Sequence, residues 1–110
     1  MMKYAEENLT KIRLLSKLFK GFADYSRLLI FYTLIDGPKT VGEIVEQTGI
    51  SQSGISNHLK CLRECELLDD RQEGKYVYYS IKDGRSAEII KLAEQIMTDI
   101  SEEKYQCMKY

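Results

Sequence analysis

The chain has 110 residues, of which 44% are hydrophobic and 30% are charged, and its formal net charge is −1. This length and composition predict one globular domain over residues 1–110 with a single core, and they exclude two large domains and a disordered polyelectrolyte. The near-zero net charge argues against a uniformly polycationic protein, so any contact with phosphates must come from a local basic surface.

The amino-terminal sequence MMKYAEENLTK is too polar for a secretory signal, and no apolar run reaches the roughly 18 residues that suggest a membrane span. We therefore expect a cytoplasmic protein with no membrane partner. Three cysteines, an odd number, are present. In a reducing compartment they favour free thiols, metal ligation or redox chemistry over a disulfide framework.

Two segments predict the first two helices. Apolar residues recur at helical spacing between about Tyr4 and Lys20, which predicts a first helix with a broad apolar face. A second helix is expected from about Tyr25 to Ile35, ended by Gly37 and Pro38. Because this second segment is apolar nearly all round, we expect it at the centre of the core.

The next segment predicts a helix-turn-helix. Thr40 and Glu43 fit the capping-box pattern and open a short third helix that runs through about Gln47. A tight turn containing a glycine follows, and Ser51 is expected to cap a fourth helix over about Gln52 to Cys65. Two short helices joined in this way are typical of a helix-turn-helix motif, in which the second helix reads DNA.

The remaining residues predict a small hairpin and a last helix. An alternating segment rich in β-branched and aromatic residues predicts a β-hairpin from about Leu67 to Ile81, with its turn at Gly74. A last amphipathic helix is expected from about Ser86 to Tyr105. The sequence therefore predicts a mostly α protein with a small β-hairpin, in the order of a winged helix-turn-helix.

The first and last helices have more apolar residues than a domain of this size can bury alone. Pairing of these helices with a second copy would cover them, so we expect a homodimer that forms through the two terminal helices. A two-fold dimer would place two recognition helices about 34 Å apart, which suits an inverted-repeat operator in double-stranded DNA.

The fourth helix has the composition of a surface that contacts DNA. Its segment from Ser51 to Arg63 contains two basic residues and no carboxylate. Gln52 and Asn57 are the best base readers, because their amides can pair bidentately with adenine. The alternative is an ordinary solvated face. The predicted DNA-binding residues are Ser51, Gln52, Ser53, Ser56, Asn57, His58, Lys60 and Arg63 in the helix, with Arg71 and Lys75 in the wing.

The segments FADYSRLLIFYTL, SQSGISNHLKCLRECELL and EGKYVYYSI together resemble the ArsR/SmtB family of winged-helix metal-responsive repressors. The resemblance runs from about Lys17 to Ile81, and Ser56, His58 and Leu59 match the family's recognition-helix pattern. Glu66 departs from it, because the family usually carries a glycine there as a left-handed helix cap.

The resemblance also implies where an effector metal would bind. The third helix lacks the cysteines of one family site, and the last helix lacks the histidines of another. The remaining pattern is that of the CmtR-type cadmium and lead sensors, in which two cysteines of the recognition helix are joined by one from the carboxyl-terminal tail. Cys61, Cys65 and Cys107 match that pattern, and the resemblance implies that Cys107 comes from the partner subunit.

The residues themselves agree with a soft-metal site. Cys61 and Cys65 are four positions apart, so on a helix both sulfurs can approach one ion. Thiolates select soft metals such as Cd(II), Pb(II) or Zn(II) over Mg(II) or Ca(II). The alternative is inert packing, since cysteine is often buried. His58 and Met108 are weaker extra candidates, which we leave out of the ligand set.

These features predict a metal-responsive repressor that binds its operator as an apo homodimer and is released by Cd(II) or Pb(II), with Zn(II) as a further candidate. A thiol redox or persulfide switch at Cys61 and Cys65 is the first alternative, and a constitutive DNA-binding or protein-interaction domain is the second. No arrangement of nucleophile, base and acid recommends catalysis, so we do not expect an enzyme.

Overall fold

The computed structural model describes residues 5–99, and within that range the chain forms five helices and one small sheet. The helices are α1 (Glu6–Phe22), α2 (Tyr25–Ile35), α3 (Val41–Thr48), α4 (Gln52–Glu64) and α5 (Arg85–Thr98). The strands are β1 (Lys39–Thr40), β2 (Leu68–Glu73) and β3 (Tyr76–Ile81), and they form an antiparallel sheet in the order β1-β3-β2.

Helix α2 lies in the core, as its apolar sequence predicts. Ile30 and Phe31 have no exposed surface, and Phe31 packs edge to face against Phe22 of α1 with ring centroids 5.0 Å apart. The Asp24 carboxylate accepts a hydrogen bond from the backbone N–H of Arg27 at 3.0 Å and so caps the helix. The core therefore fixes α2, and α1 and α4 are positioned against it.

Helix α3 begins as the sequence predicts. The Thr40 hydroxyl accepts from the Glu43 N–H at 3.2 Å, and the Glu43 carboxylate accepts from the Thr40 N–H at 2.9 Å. The reciprocal pair is the predicted capping box. Gly49 ends the helix with a φ of 75°, a left-handed conformation that glycine adopts without a steric penalty.

The hairpin is confirmed, and the sheet contains one strand that the sequence pattern did not predict. Strands β2 and β3 pair from Leu68 opposite Ile81 to Glu73 opposite Tyr76. The short strand β1 adds to the free edge of β3, with Lys39 opposite Tyr79. A two-residue strand has no periodicity to detect, and its second residue, Thr40, is also the cap of α3.

The predicted bounds of four helices differ from the structure by one or two residues. Helix α3 ends at Thr48, one residue beyond its predicted end at Gln47. Helix α1 is shifted towards the carboxyl end of the chain, because it continues to Phe22, whose ring is buried in the core. Helix α4 ends at Glu64, with Cys65 as its cap. Helix α5 begins at Arg85 and ends at Thr98, whereas its predicted end at Tyr105 lies outside the described residues.

Helices α1 and α5 retain exposed apolar side chains in the single chain. Those of α1 are Leu9, Ile12, Leu14, Leu15 and Phe19, and those of α5 are Leu92, Ile96 and Met97. Exposure of this kind on two elements agrees with the expectation that the terminal helices form an interface. Among residues 5–99, no helix is both long and apolar enough to cross a membrane.

Candidate nucleic-acid interface and thiol site

Helix α4 has three distinct faces. Ile55, Leu59 and Leu62 are buried at 0–1% exposure and fix the helix to the core. A second face is exposed, and it carries the predicted DNA-binding residues Gln52, Ser53, Ser56, Asn57, Lys60 and Arg63. A third face is half-buried and carries Gly54, His58, Cys61 and Cys65. The exposed polar face and the half-buried face that carries the thiols are therefore neighbouring faces of one helix.

The amino-terminal end of α4 is capped by Ser51 and is exposed to solvent. The Ser51 hydroxyl accepts a hydrogen bond from the Gly54 N–H at 3.2 Å and lies 3.4 Å from the Ser53 hydroxyl. The other N–H groups of the first turn have no acceptor within the helix and carry a partial positive charge. This end of the helix therefore attracts anions. Ser51 is exposed, so a phosphate can reach both its hydroxyl and the free N–H groups.

Arg63 connects the recognition helix to the wing. Its guanidinium lies 2.9 Å from the Asp70 carboxylate of β2, and both side chains are more than a third exposed. An ion pair this exposed contributes little to stability, about 0–1 kcal/mol. The structure thus places the predicted phosphate-binding Arg63 at the helix–wing junction and pairs it with a carboxylate in the free protein.

The two predicted wing residues also make local contacts. Arg71 forms an exposed ion pair with Glu73 at 2.9 Å on the same strand. Lys75 is at the tip of the hairpin, where its ammonium lies 5.3 Å from the centre of the Tyr76 ring. Gly74 supplies the positive φ of 62° that a two-residue hairpin turn requires. Both cations are exposed, Arg71 within β2 and Lys75 at the hairpin tip.

His58 lies away from the most exposed face of α4. It is half-buried, and it belongs to the same stripe as Cys61 and Cys65. The pKa of the Asp24 carboxyl is lowered, chiefly by the hydrogen bond from the Arg27 N–H, and the charges of Arg27 and His58 act in the same direction. His58 is therefore less accessible to a molecule outside the protein than its neighbour Asn57, which is exposed.

The two described cysteines are brought together as their spacing predicts. The Cys65 N–H donates to the Cys61 carbonyl at 3.0 Å, so the two residues are one helical turn apart. Both thiols are free and half-buried. Cys107 lies outside the described residues.

The carboxyl-terminal end of α1 forms the wall beside Cys65, a feature that the sequence analysis missed. A Cβ atom at Gly21 would stand 3.7 Å from the Cys65 sulfur and 2.7 Å from a Leu67 methyl carbon. Such close backbone approach requires glycine at this position. The only sequence signal was a lone glycine near the end of a predicted helix.

Burial raises the pKa of the Cys65 thiol, and the nearby Cys61 thiol acts in the same direction. Lys17 and Arg27 oppose this shift, because their positive charges favour the thiolate. Lys17 is exposed on α1, and Arg27 is half-buried near the start of α2. The thiol site therefore combines partial desolvation with two cations, neither of which the sequence analysis assigned to it.

Glu66 adopts the left-handed conformation that a glycine would be expected to occupy, with a φ of 63°. The Leu67 N–H donates to the Leu62 carbonyl, and the Glu66 N–H donates to the Arg63 carbonyl, both at 3.0 Å. These two bonds are those of a Schellman helix end. The Glu66 carboxylate forms an ion pair with Lys82, which lowers the pKa of its carboxyl.

The residue types at this site fit a soft metal, although the described part of the site is incomplete. Two thiols on one turn supply two sulfur donors. No group of three or more His, Cys, Asp or Glu side chains suited to a metal occurs within residues 5–99. Cys107, which the sequence analysis predicts as a third ligand, lies outside that range.

The arrangement of α3, α4 and the β2–β3 hairpin defines a winged helix-turn-helix protein. Residues 24–70 match the protein family described as "Bacterial regulatory protein, arsR family". The chain is 37% identical over 84 residues to a probable mercury resistance operon repressor of Streptomyces lividans, covering 76% of this chain and 67% of that protein. It is 34% identical over 89 residues to the transcriptional regulator CmtR of Mycobacterium bovis, covering 77% and 75%. The chain belongs to the ArsR family.

Solved structures agree with this assignment. NolR of Sinorhizobium fredii matches with a TM-score of 0.80 at 27% identity, covering 87% of this chain and 96% of that one. A homodimeric winged helix-turn-helix DNA-binding domain of Mycobacterium bovis matches with a TM-score of 0.77 at 26% identity, covering 90% and 91%. The cadmium metal-sensor CmtR of Mycobacterium tuberculosis matches with a TM-score of 0.61 at 34% identity, covering 69% and 79%.

The family assignment confirms two predictions. The chain resembles transcriptional regulators and repressors, as the sequence pattern indicated, and the family's function is regulation rather than catalysis.

Proposed function

We propose that this protein is a homodimeric repressor that binds operator DNA when metal-free and releases it when a soft metal, Cd(II) or Pb(II), binds Cys61, Cys65 and Cys107. Zn(II) is a further candidate. The observation that carries the proposal is the pair of half-buried thiols on α4, one turn apart and beside the exposed polar face of the same helix. One rigid element thus presents both a DNA-reading surface and a soft-metal chelate.

The proposed DNA contacts follow from the exposed face of α4. Gln52 and Asn57 are exposed on this face, and in the proposal they read base edges in the major groove while the hydroxyls and N–H groups of the first turn contact phosphates. Lys60 and Arg63 would contact the backbone farther along the helix, while Arg71 and Lys75 would do so from the wing. His58 is the weakest member of this set, because it is half-buried.

The exposed apolar side chains of α1 and α5 support the proposed homodimer. Burying them against a second copy would remove a surface that a monomer rarely leaves in water. The similarity to a homodimeric winged helix-turn-helix domain also supports it. In the proposed dimer, two copies of α4 would meet successive major grooves of an inverted repeat.

The proposed release follows from competition between two geometries of α4. Ligation by a tail cysteine would draw that tail towards the helix that reads DNA, so the metal-bound and DNA-bound arrangements need not be compatible. Coupling of this kind is reciprocal, because operator DNA must weaken metal binding by the factor by which metal weakens operator binding. Such coupling energies are commonly about 1 to 3 kcal/mol.

Two titrations test the proposal. The operator is first selected from a random duplex library with apo protein, and its release by Cd(II) or Pb(II) is followed by fluorescence anisotropy. Sulfur-to-metal charge transfer in the ultraviolet is followed with the same reduced protein, which gives the stoichiometry and the ligand class. We expect one metal per subunit and loss of operator affinity of about 5- to 150-fold.

Cysteine variants identify the ligands. Cys61→Ser should retain apo operator binding and lose the metal response, and Cys107→Ser should bind metal more weakly. A Cys61→Ser variant that responds to metal like the wild type would reject the ligand assignment. Operator release by an oxidant or a persulfide donor, with no response to metal, would instead establish the thiol switch as the function.

A further inference from the structure

A cleft between α2 and α5 has walls that are partly apolar. Its volume is about 650 Å³, which lies within the range of binding sites for small organic molecules. Ile35 lines the cleft from α2, and Ala87 and Ile90 line it from α5. Ile35 is 44% exposed, although it belongs to the helix at the centre of the core. The cleft therefore offers apolar surface to a ligand.

The same cleft carries an excess of negative charge. Of the described residues that line it, one, Lys91, is basic and three are acidic, namely Asp36, Glu88 and Glu94. This excess favours a cation over a neutral or anionic ligand. Because all four side chains are exposed, water screens their charges, and the preference for a cation should be moderate.

The three carboxylates are not arranged to hold a single metal ion. Within residues 5–99, no group of three or more His, Cys, Asp or Glu side chains is suited to a metal. A bare ion would also leave the apolar walls in contact with water. An organic cation suits both features of the cleft, since its apolar body can contact the walls while its charge stays near the carboxylates.

A hydrogen bond between Tyr32 and Glu94 connects the two helices that line the cleft. The Tyr32 hydroxyl donates to the Glu94 carboxylate at 2.5 Å, which raises the pKa of Tyr32 to about 12. The phenol therefore stays protonated near neutral pH and continues to donate. A carboxylate can accept several hydrogen bonds, so Glu94 can also accept from a cationic N–H group. The Tyr32 ring also lines the cleft, and aromatic rings attract organic cations.

The cleft lies on the side of α5 away from the proposed dimer interface. At about 100° per residue, the exposed apolar residues Leu92 and Ile96 lie on the opposite side of α5 from Ile90 and Glu94. A second copy packed on Leu92 and Ile96 would therefore leave the cleft accessible. None of the residues that line the cleft belongs to α4.

We propose that the cleft between α2 and α5 binds a small organic cation with an apolar body, with Glu94 as the acceptor for its N–H groups and Ile35 as part of its apolar contact. The inference goes beyond the proposed function, because it assigns a second ligand site that requires neither the thiols nor DNA.

Three probes of nearly equal shape and different charge test the proposal with the full-length reduced protein. They are the cation para-aminobenzamidine, the neutral para-aminobenzamide and the anion para-aminobenzoate. Affinities and the location of binding are measured together from the shifts of backbone amide resonances in NMR titrations. We expect the cation to shift the amides of Tyr32, Ile35 and Ala87 and to bind about 10-fold more tightly than the neutral amide, with the anion weakest.

Two variants separate the contributions of charge and of apolar contact. Glu94→Gln removes the charge but retains an acceptor for Tyr32, so it should weaken binding of the cation about 5- to 10-fold and leave the neutral probe unchanged. Glu46→Gln is the matched control, because Glu46 is exposed on α3 and does not line the cleft, and it should match wild type. Ile35→Ala should weaken binding of the cation and of the neutral probe by the same factor, about 2- to 5-fold.

Equal affinities for the cation and the anion would overturn the proposal, as would shifts confined to another part of the protein. A Glu94→Gln variant that binds the cation like Glu46→Gln would overturn it as well. Sedimentation velocity tests a different occupant. If Ile35→Ala dissociated the dimer, a second copy would occupy the cleft and the proposal would be wrong.

Discussion

The two ends of α4 are built for different partners. At its amino-terminal end, Ser51 supplies the cap, and the neighbouring polar side chains are exposed. At its carboxyl-terminal end, Cys65 is half-buried beside Gly21, and Leu67 beyond it is almost completely buried. The first end is therefore available to a molecule outside the protein, and the second is held by the protein's own first helix. A ligand at the second end can affect the whole element, because the helix between them is rigid.

The largest expected effect concerns the close contact at the second end. Gly21→Val should lower the free energy of unfolding by about 1–3 kcal/mol, because its Cβ would meet a buried Leu67 methyl group. Urea unfolding followed by circular dichroism measures the change. The added side chain should also slow alkylation of Cys65, since it would occupy space next to the sulfur.

Gly84→Ala provides the control for that substitution. No atom lies within 4 Å of the Cβ position at Gly84, and its φ is −59°. The free energy of unfolding should change by less than about 0.5 kcal/mol. Equal free energies of unfolding for Gly21→Val and Gly84→Ala would show that the contact between position 21 and Leu67 does not restrict the size of the side chain there.

A smaller effect is expected at the first end of the helix. Ser51→Ala removes the hydroxyl that accepts from the Gly54 N–H, so the free energy of unfolding should fall by about 1 kcal/mol. Ser56→Ala is the matched control, because Ser56 is exposed on the same helix and forms no cap. If Ser51→Ala unfolds at the same urea concentration as Ser56→Ala, the cap contributes nothing to stability.

The smallest effect on stability is expected at the ion pair between α4 and the wing. Asp70→Asn removes the partner of Arg63 from a contact that is more than a third exposed, so the free energy of unfolding should change by less than about 1 kcal/mol. Operator affinity should rise instead, because Arg63 becomes free to contact a phosphate. The slope of log affinity against log salt concentration should steepen by about 0.9, as expected for one additional phosphate contact.

The double variant Arg63→Gln with Asp70→Asn is the control for this effect. It should lose both the gain in affinity and the additional salt dependence, since no arginine remains to contact DNA. A double variant that binds as tightly as Asp70→Asn would show that the carboxylate, and not Arg63, limits operator binding.

Local sequence signals predicted most of the fold. The bounds of α2, the Thr40–Glu43 capping box and the β2–β3 hairpin all follow from caps, periodicity and turn residues, which act over a few positions. Strand β1 could not be predicted, because two residues contain no repeat. The end of α4 differs by only one residue, although Glu66 departs from the glycine that usually marks such a helix end.

The candidate site was predicted in part. The spacing of Cys61 and Cys65 was sufficient to place both on one turn, and the run of short polar residues was sufficient to predict the exposed face of α4. Gly21, Lys17 and Arg27 were not assigned to the thiol site, because they belong to other helices and are 38 or more positions away from Cys65 in the sequence. The partial burial of His58 was likewise not predictable from α4 alone.

The sequence by itself determined which helices form, where they are capped and which residues share a face of α4, because these properties depend on neighbours within a turn or two. Only the tertiary structure decided that the end of α1 lies against Cys65 and that Arg27 covers its carbonyl groups. The physical reason is that burial and charge at a site depend on all of the chain segments packed there. Their proximity is set by the core around Ile30 and Phe31 and not by distance along the chain.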